Sequence, residues 1–192
     1  MKNLNRKGFT LIELLAVIII LAILMTLAIT AMTGYITNAR KDTFITTAQQ
    51  YANAARLSFV NGDYTTIARG HCIAVKTSGV ALESGSTESP FGFDYEDNSS
   101  YVVIANVSGA SDESDRYEYY VQMVDGRGNG FGLLREADVE RRNVIQENAK
   151  TAPVPTGSYQ ALPSTATGTL KLFQAGDANN DPSNTCTLSG IY

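Results

Sequence analysis

Few residues in this chain have the types and spacing that catalysis or metal binding requires. His71 is the only histidine in 192 residues, and it precedes Cys72. No serine has the surroundings of a nucleophile elbow, which argues against a Ser-His-Asp triad. No second Cys/His pair is present to complete the four ligands of a zinc site. We therefore expect His71 to be an ordinary residue at a strand end, and the protein not to be an enzyme.

One short segment resembles the opening of a calcium loop. Asp177, Asn179 and Asp181 place oxygen-bearing side chains at positions i, i+2 and i+4. The sixth position holds Pro182 instead of glycine, and the twelfth holds Leu188 instead of an acid. A solvated turn is therefore the first interpretation and a weak calcium site is the alternative. No other cofactor is expected.

Glu13 is the only charged residue among the 24 from Phe9 to Met32. As a helix this apolar run would be about 36 Å long, enough to cross a hydrocarbon core of about 30 Å. A carboxylate is costly in that environment, although less so at a helix N-terminus, where free N–H groups favour an anion. Lys2, Arg6 and Lys7 precede the run, so we expect a single membrane span with its N-terminus in the cytoplasm.

The residues before and around this acid form a specific motif. The segment from Lys7 to Glu13, KGFTLIE, is followed by an uninterrupted apolar run and closely resembles the start of type IV prepilins and pseudopilins. The resemblance implies that a prepilin peptidase cleaves between Gly8 and Phe9 and methylates the new N-terminal Phe9. It also implies that Glu13 pairs with the N-terminal amine of a neighbouring subunit. Since such a pair forms strongly in an apolar bundle, it would select one axial register.

The same resemblance implies a function and a set of partners. The chain would be a structural subunit of a type IV pilus or pilus-like filament, anchored in the bacterial cytoplasmic membrane before it enters an extracellular fimbrium. Its partners would be further copies, other pilins, the prepilin peptidase, a membrane assembly platform and its cytoplasmic ATPase. Three alternatives remain: a pseudopilin of a secretion or DNA-uptake system, a membrane-tethered binding module or adhesin, and an anchored enzyme.

The charge balance argues against nucleic acid as a partner. Without residues 1–8, the chain has 12 basic and 19 acidic side chains, a net side-chain charge of −7. Binding to a phosphate backbone requires clusters of Lys and Arg.

The pattern along the chain predicts four segments. They are a removed leader at residues 1–8, a membrane and filament-core half-helix at 9–32, an amphipathic half-helix at 33–60, and a globular extracellular head at 61–192. Ala22 and Thr30 stand where many type IV pilins have a glycine and a proline, so we expect the helix to melt less on assembly. Apolar residues at helical spacing predict the buried face of the second half: Ile45, Ala48, Ala52, Ala55 and Phe59.

The head reads as an antiparallel meander packed on the second half of the helix, an α+β, pilin-like fold. Residues 101–107 and 117–124 are strand-like, and residues 131–134 suggest a third strand. The remaining expectations are a short helix at 135–148, a surface loop at 149–168, a last strand at 169–173, and a polar tail at 175–192.

The two cysteines are expected to form a disulfide. Cys72 and Cys186 both fall in the external part of the chain, where the compartment permits oxidation. A bond between them would attach the polar tail near the end of the long helix. The alternative is two unpaired thiols, one buried and one in a mobile tail.

Overall fold

The computed structural model describes residues 10–80, 82, 87–146, 159–172 and 185–192. The chain divides into two compact units, Met1–Ala39 and Arg40–Tyr192. We refer to them as the N-terminal unit and the C-terminal unit. Within the described residues the elements are one α-helix, α1 (Leu11–Asn61), six β-strands and three short 3-10 helices. The predicted α+β class is confirmed.

The N-terminal unit consists of the first part of α1. Its described large apolar side chains from Leu11 to Ile29 are 48% to 84% exposed, on every side of the helix. The hydroxyls of Thr26, Thr30 and Thr33 donate to backbone carbonyls three residues earlier, at 2.8 to 2.9 Å. Because these bonds satisfy the hydroxyls inside the helix, threonine is compatible with an apolar surrounding. The helix continues through this segment without a break.

The second part of α1 lies in the C-terminal unit and is amphipathic, as predicted. Ala48, Ala52 and Ala55 are fully buried, whereas Ile45 and Phe59 are half-buried against the same core. The centre of the buried face is defined by two aromatic residues that the sequence analysis did not include, Phe44 and Tyr51.

Gly62 follows the last helical residue, Asn61, one residue beyond the predicted end of the helix at residue 60. It has φ +85°, and its N–H donates to the carbonyl of Phe59, while the N–H of Asp63 donates to the carbonyl of Ser58, both at 3.1 Å. This is a Schellman motif, which satisfies carbonyls that the last turn leaves open.

Six strands form one mixed sheet. The strand bounds are β1 His71–Lys76, β2 Tyr101–Asn106, β3 Tyr117–Val124, β4 Gly130–Arg135, β5 Gly168–Lys171 and β6 Thr185–Ile191. Their spatial order is β4-β3-β2-β1-β6-β5. Strands β2 to β4 form the predicted antiparallel meander, and β1 extends it by pairing antiparallel with β2. Strand β6 pairs in parallel with β1 and antiparallel with β5.

The sheet is buried on both faces. On one face Ile73, Ile104 and Val121 pack with the buried residues of α1. On the other face Tyr101 and Tyr120 belong to a second cluster. Two-sided burial explains why β2 reads as a continuous apolar run rather than as an alternating one. The second cluster is completed by residues from the C-terminal part of the chain: Leu162, Leu170, Leu172, Cys186 and Leu188.

The helix predicted at 135–148 is wrong. Arg135 is the last residue of β4, and it is followed by two single-turn 3-10 helices, Glu136–Asp138 and Arg141–Asn143. Val139 and Val144 are the buried residues that attach this segment to the core, and their spacing of five does not repeat along one face of an α-helix. The tertiary positions of these two valines therefore override the helix-forming composition of the segment.

The prediction for the C-terminal part was incomplete. The strand predicted at 169–173 is β5, but it is not the last one, because β6 follows and lies between β1 and β5. Of the loop predicted at 149–168, residues 149–158 lie outside the described residues. The described part from Tyr159 has no regular element before β5, and its Leu162 is buried.

Candidate functional site

The first turn of α1 holds Glu13 in a capping box. The backbone N–H and the hydroxyl of Thr10 donate to Oε2 of Glu13, at 2.8 and 2.7 Å. In return the N–H of Glu13 donates to the hydroxyl of Thr10, at 3.4 Å. Ser or Thr before a helix with Glu three residues later is the pattern that satisfies two free N–H groups reciprocally. The arrangement keeps the carboxylate at the helix N-terminus, where the helix dipole favours a negative charge.

The carboxylate is nevertheless surrounded by exposed apolar side chains. Both hydrogen bonds from Thr10 end on the same oxygen, Oε2. Ile12 and Leu14, on either side of Glu13, are 72% and 64% exposed. A charge with this surrounding is suited to pair with a cation from outside the chain, because an apolar environment strengthens the attraction.

Two predicted site residues cannot be placed. Gly8 and Phe9, the predicted cleavage junction and methylation position, lie outside the described residues, which begin at Thr10. The candidate calcium residues Asp177, Asn179 and Asp181 also lie outside them. Within the part of the chain that the structure describes, no three His, Cys, Asp or Glu side chains are grouped so that they could hold a metal ion.

The predicted disulfide is present. Cys72 on β1 and Cys186 on β6 are joined, with their Cα atoms 5.7 Å apart, and both are buried. The bond connects neighbouring strands that are 114 residues apart in sequence. His71 is the first residue of β1, half-buried, and pairs with Thr187 of β6, which fits a strand-end residue.

A segment after β4 is attached to α1 by charged contacts that the sequence did not reveal. Two of the guanidinium nitrogens of Arg141, Nε and Nη2, donate to the carboxylate of Asp42, at 2.6 and 2.5 Å. These bonds raise the pKa of Arg141. Arg56 pairs with Glu136 and lies over the ring of Tyr119, 4.3 Å from its centroid. Sequence separations of 80 and 99 residues explain why no local pattern could indicate them.

The turn between β3 and β4 contains a buried carboxylate, that of Asp125. Asp125 accepts hydrogen bonds from the hydroxyl of Ser89 at 2.7 Å and from the N–H groups of Arg127 and Asn129 at 3.0 and 2.9 Å. Its role is to organise the turn, since all these donors belong to the turn or to the segment packed against it.

A helix whose first part is apolar on every side, followed by an amphipathic part packed on a sheet, is consistent with a pilin-like fold. Residues 3–29 match the family model of the prokaryotic N-terminal methylation motif, which is the type IV prepilin-like signal. No curated protein and no solved structure matches the chain.

The matched motif supports a type IV pilin-like or pseudopilin-like protein. The motif and the apolar helix support a membrane-anchored chain that becomes part of a surface filament. By length and composition, α1 contains a segment that is long and apolar enough to cross a membrane.

Proposed function

We propose that this chain is a structural subunit of a type IV pilus or pilus-like filament and not an enzyme. The observation that carries the proposal is the first part of α1, which is apolar on all sides and exposed, with one carboxylate in its first turn. A helix that is apolar all round must be covered, by lipid or by other helices. Lipid covers it before assembly, and the helices of neighbouring subunits cover it in the filament.

A helix that served only as a membrane anchor would not need the carboxylate of Glu13. In the membrane its charge is stabilised by Thr10 and by the helix N-terminus. During assembly it pairs with the N-terminal amine of Phe9 on a neighbouring subunit. Since each ion alone would carry a large desolvation penalty, the pair forms only where both meet, and this sets the axial register.

Processing precedes assembly in this scheme. A prepilin peptidase removes residues 1–8 and methylates Phe9, which creates the amine that Glu13 requires. A membrane assembly platform and its cytoplasmic ATPase then extract subunits from the bilayer. Further copies of this chain and other pilins are its partners in the filament. The apolar residues of α1 that follow Glu13 supply the surface by which subunits pack.

Intact-mass measurement of the protein from membranes and from sheared filaments tests the proposal. The mature chain should begin at Phe9 and carry one additional methyl group. Gly8→Val should retain residues 1–8, because the peptidase reads a small residue before the cut. Gly34→Ala is the matched control, since a Cβ at Gly34 has no atom within 4 Å and should leave processing unchanged. A mature chain that keeps the leader would contradict the proposal.

Electron microscopy of the sheared material decides between the remaining roles. Long surface filaments that contain this chain support a pilus subunit. A processed chain without surface filaments supports a pseudopilin of a secretion or DNA-uptake system. A processed, monomeric chain that stays in the membrane supports a tethered binding module or adhesin.

A further inference from the structure

Two segments of the chain have the Asn-x-Ser pattern that N-linked glycosylation requires. They are Asn98-Ser99-Ser100 and Asn106-Val107-Ser108. In this pattern the side-chain nitrogen Nδ2 of asparagine accepts the sugar, and the hydroxyl two residues later is part of what the transferase reads. Because so short a pattern recurs by chance, the surroundings of each asparagine decide which of the two is a site.

Asn106 is buried, and both ends of its side-chain amide are occupied. Only 2% of its surface is exposed. Its Nδ2 donates to the carbonyl of Ile67 at 2.9 Å, and its Oδ1 accepts the N–H of Ser108 at 3.1 Å. A sugar on this nitrogen would have no space and would break a buried hydrogen bond, which is costly. A folded chain therefore cannot carry a sugar at Asn106.

Asn98 has the opposite surroundings, because it is exposed at a turn of the connection that precedes β2. The N–H of Ser99 closes this turn by donating to the carbonyl of Glu96 at 2.9 Å, and the carbonyl of Asn98 accepts the N–H of Leu162 at 3.0 Å. Oδ1 of Asn98 accepts a hydrogen bond from Nζ of Lys76 at 3.0 Å. Nδ2 has no hydrogen-bond partner among the residues that the structure describes. The nitrogen that would accept a sugar is therefore free, while the rest of the residue is held in place.

A pocket of about 520 Å³ adjoins this asparagine, and we call it the Asn98 pocket. Besides Asn98, its lining includes Lys76, Leu162, Pro163, Ser164 and Ile191. A sugar has an apolar C–H face and several hydroxyls, which suits a pocket of aliphatic side chains with a few hydrogen-bonding groups. The ammonium of Lys76 has three donors, and it forms no ion pair with any residue in the described part of the chain. It can therefore donate to sugar hydroxyls as well as to Asn98.

We propose that Asn98 is N-glycosylated and that the first sugar residue lies in the Asn98 pocket. The inference rests on the proposed function in one respect, because it requires that the C-terminal unit lies outside the cytoplasm. The donor is a sugar carried on a lipid diphosphate. Transfer forms a bond between Nδ2 and C1 of the sugar and breaks the bond between C1 and a diphosphate oxygen. The lipid diphosphate leaves with the electron pair, and one proton of Nδ2 passes to a base of the transferase.

The folded structure also determines when the transfer takes place. Ser100 is fully buried, and its hydroxyl donates to the carbonyl of Val124 at 2.8 Å and accepts the N–H of Val124 at 3.0 Å. A transferase cannot reach this hydroxyl once the unit has folded. The sugar is therefore added to the translocated chain before β2 pairs with β3. A chain that receives a sugar at Asn106 at that stage cannot complete its core, so the folded population carries the sugar at Asn98 only.

Peptide mass spectrometry of the protein from its native cells is the direct test. Cleavage after Tyr101 separates the two asparagines. The peptide with Asn98 should be heavier than its sequence by one or more sugar residues, and the peptide with Asn106 should have its sequence mass. Asn98→Gln should remove the added mass, whereas Asn61→Gln, at an exposed asparagine outside the pattern, should not. An unmodified Asn98 peptide, or added mass that persists in Asn98→Gln, would overturn the proposal.

The position of the sugar has a separate readout. Wild-type chain made in cells that lack the transferase has no sugar and keeps every other contact. The glycosylated form should melt roughly 2–4 °C higher, the usual size of one modest added contact in a protein of this length. Lys76→Gln should keep the sugar, because transfer precedes folding, and should lose most of this difference. Equal melting temperatures of the two wild-type forms would overturn the placement of the sugar in the Asn98 pocket.

The N-terminal peptide separates this proposal from the proposed function. A chain that begins at methylated Phe9 and has an unmodified Asn98 would overturn the glycosylation alone. A chain that keeps residues 1–8 and carries a sugar at Asn98 would overturn the filament role and leave the glycosylation site intact.

Discussion

At the residue scale, a single substitution can separate the helix-capping contacts of Glu13 from its proposed ion pairing with a neighbouring subunit. Glutamine retains the side-chain oxygen that accepts from Thr10, and Gln serves as well as Glu at this position of a capping box. It cannot form an ion pair with an amine. Glu13→Gln therefore preserves the helix start and removes only the charge.

We expect Glu13→Gln to remain in the membrane fraction and to lose filaments. Removing one partner of a buried ion pair costs about 3 kcal/mol or more, which weakens each subunit contact roughly a hundredfold. Membrane-fraction blots and filament counts by electron microscopy measure the two halves of the prediction. Thr10→Ser, which keeps the cap hydroxyl, is the control. Normal filaments from Glu13→Gln would reduce Glu13 to a helix-capping residue.

Gly130 is a second residue whose identity the structure explains. Its φ is +150°, and a Cβ at this position would lie 2.0 Å from the carbonyl oxygen of Met123. Gly130→Ala should therefore destabilise the fold by about 3 kcal/mol or more, and lower the melting temperature by roughly 6 °C or more. Circular dichroism of the full chain in detergent measures this shift.

The neighbouring Gly126 provides the control for that measurement. A Cβ at Gly126 would meet only the carbonyl oxygen of Asp94, at an ordinary distance of 3.7 Å. Gly126→Ala should change the melting temperature by no more than about 2 °C, since surface substitutions of this kind stay within about 0.5 kcal/mol. Equal effects of the two substitutions would show that the tight approach at Gly130 does not determine the stability of this turn.

At the scale of elements, local periodicity explains which parts of the fold the sequence predicted. Strong sequence patterns, reinforced by tertiary contacts, mark the helix, its end near residue 60, and the strands β2 and β3. On β3, residues in alternation, such as Tyr119 and Val121, lie on the face that packs against the buried residues of α1. Glu13 could also be recognised from a local pattern, because the motif at the start of α1 consists of consecutive residues.

The elements that were missed depend on partners distant in sequence. Strand β6 alternates buried and exposed residues, but its small polar side chains hide the pattern in a tail of similar composition. Its position is determined by pairing with β1, more than 100 residues earlier.

The disulfide is the covalent part of this long-range arrangement. Since β6 lies between β1 and β5, its loss from the sheet would also remove the only strand with which β5 pairs among the described residues. Cys72→Ser with Cys186→Ser should lower the free energy of unfolding by about 2–5 kcal/mol, the usual effect of removing such a bond. Chemical denaturation measures the change. Thiol labelling of denatured, unreduced wild-type chain should find no free thiol, and two thiols per chain would contradict the bond.

At the scale of the whole molecule, the two units differ in where their apolar surface lies. In the C-terminal unit the apolar side chains belong to two buried clusters on either face of the sheet. Among its large apolar residues that are described, the exposed ones are Leu57, Val60, Phe93 and Tyr192. In the N-terminal unit no described apolar side chain is buried. In the proposed function, membrane insertion and helix packing in the filament therefore depend on the first unit, whereas the buried core lies in the second.

This division predicts that a chain beginning at Arg40 folds without detergent. The truncated protein retains the buried residues of α1, all six strands and both cysteines, so its core should be complete. It should elute as a monomer, with light scattering as the measure of mass, because scattered exposed apolar residues do not form a large patch. Its melting temperature should lie within about 5 °C of that of the full chain, since the removed residues that the structure describes contribute no side chain to either cluster. Aggregation of the truncated protein under oxidising conditions, or loss of its cooperative unfolding, would show that the apolar half of α1 also supports the fold. The full chain is the matched comparison, and it should require detergent or lipid to remain dispersed.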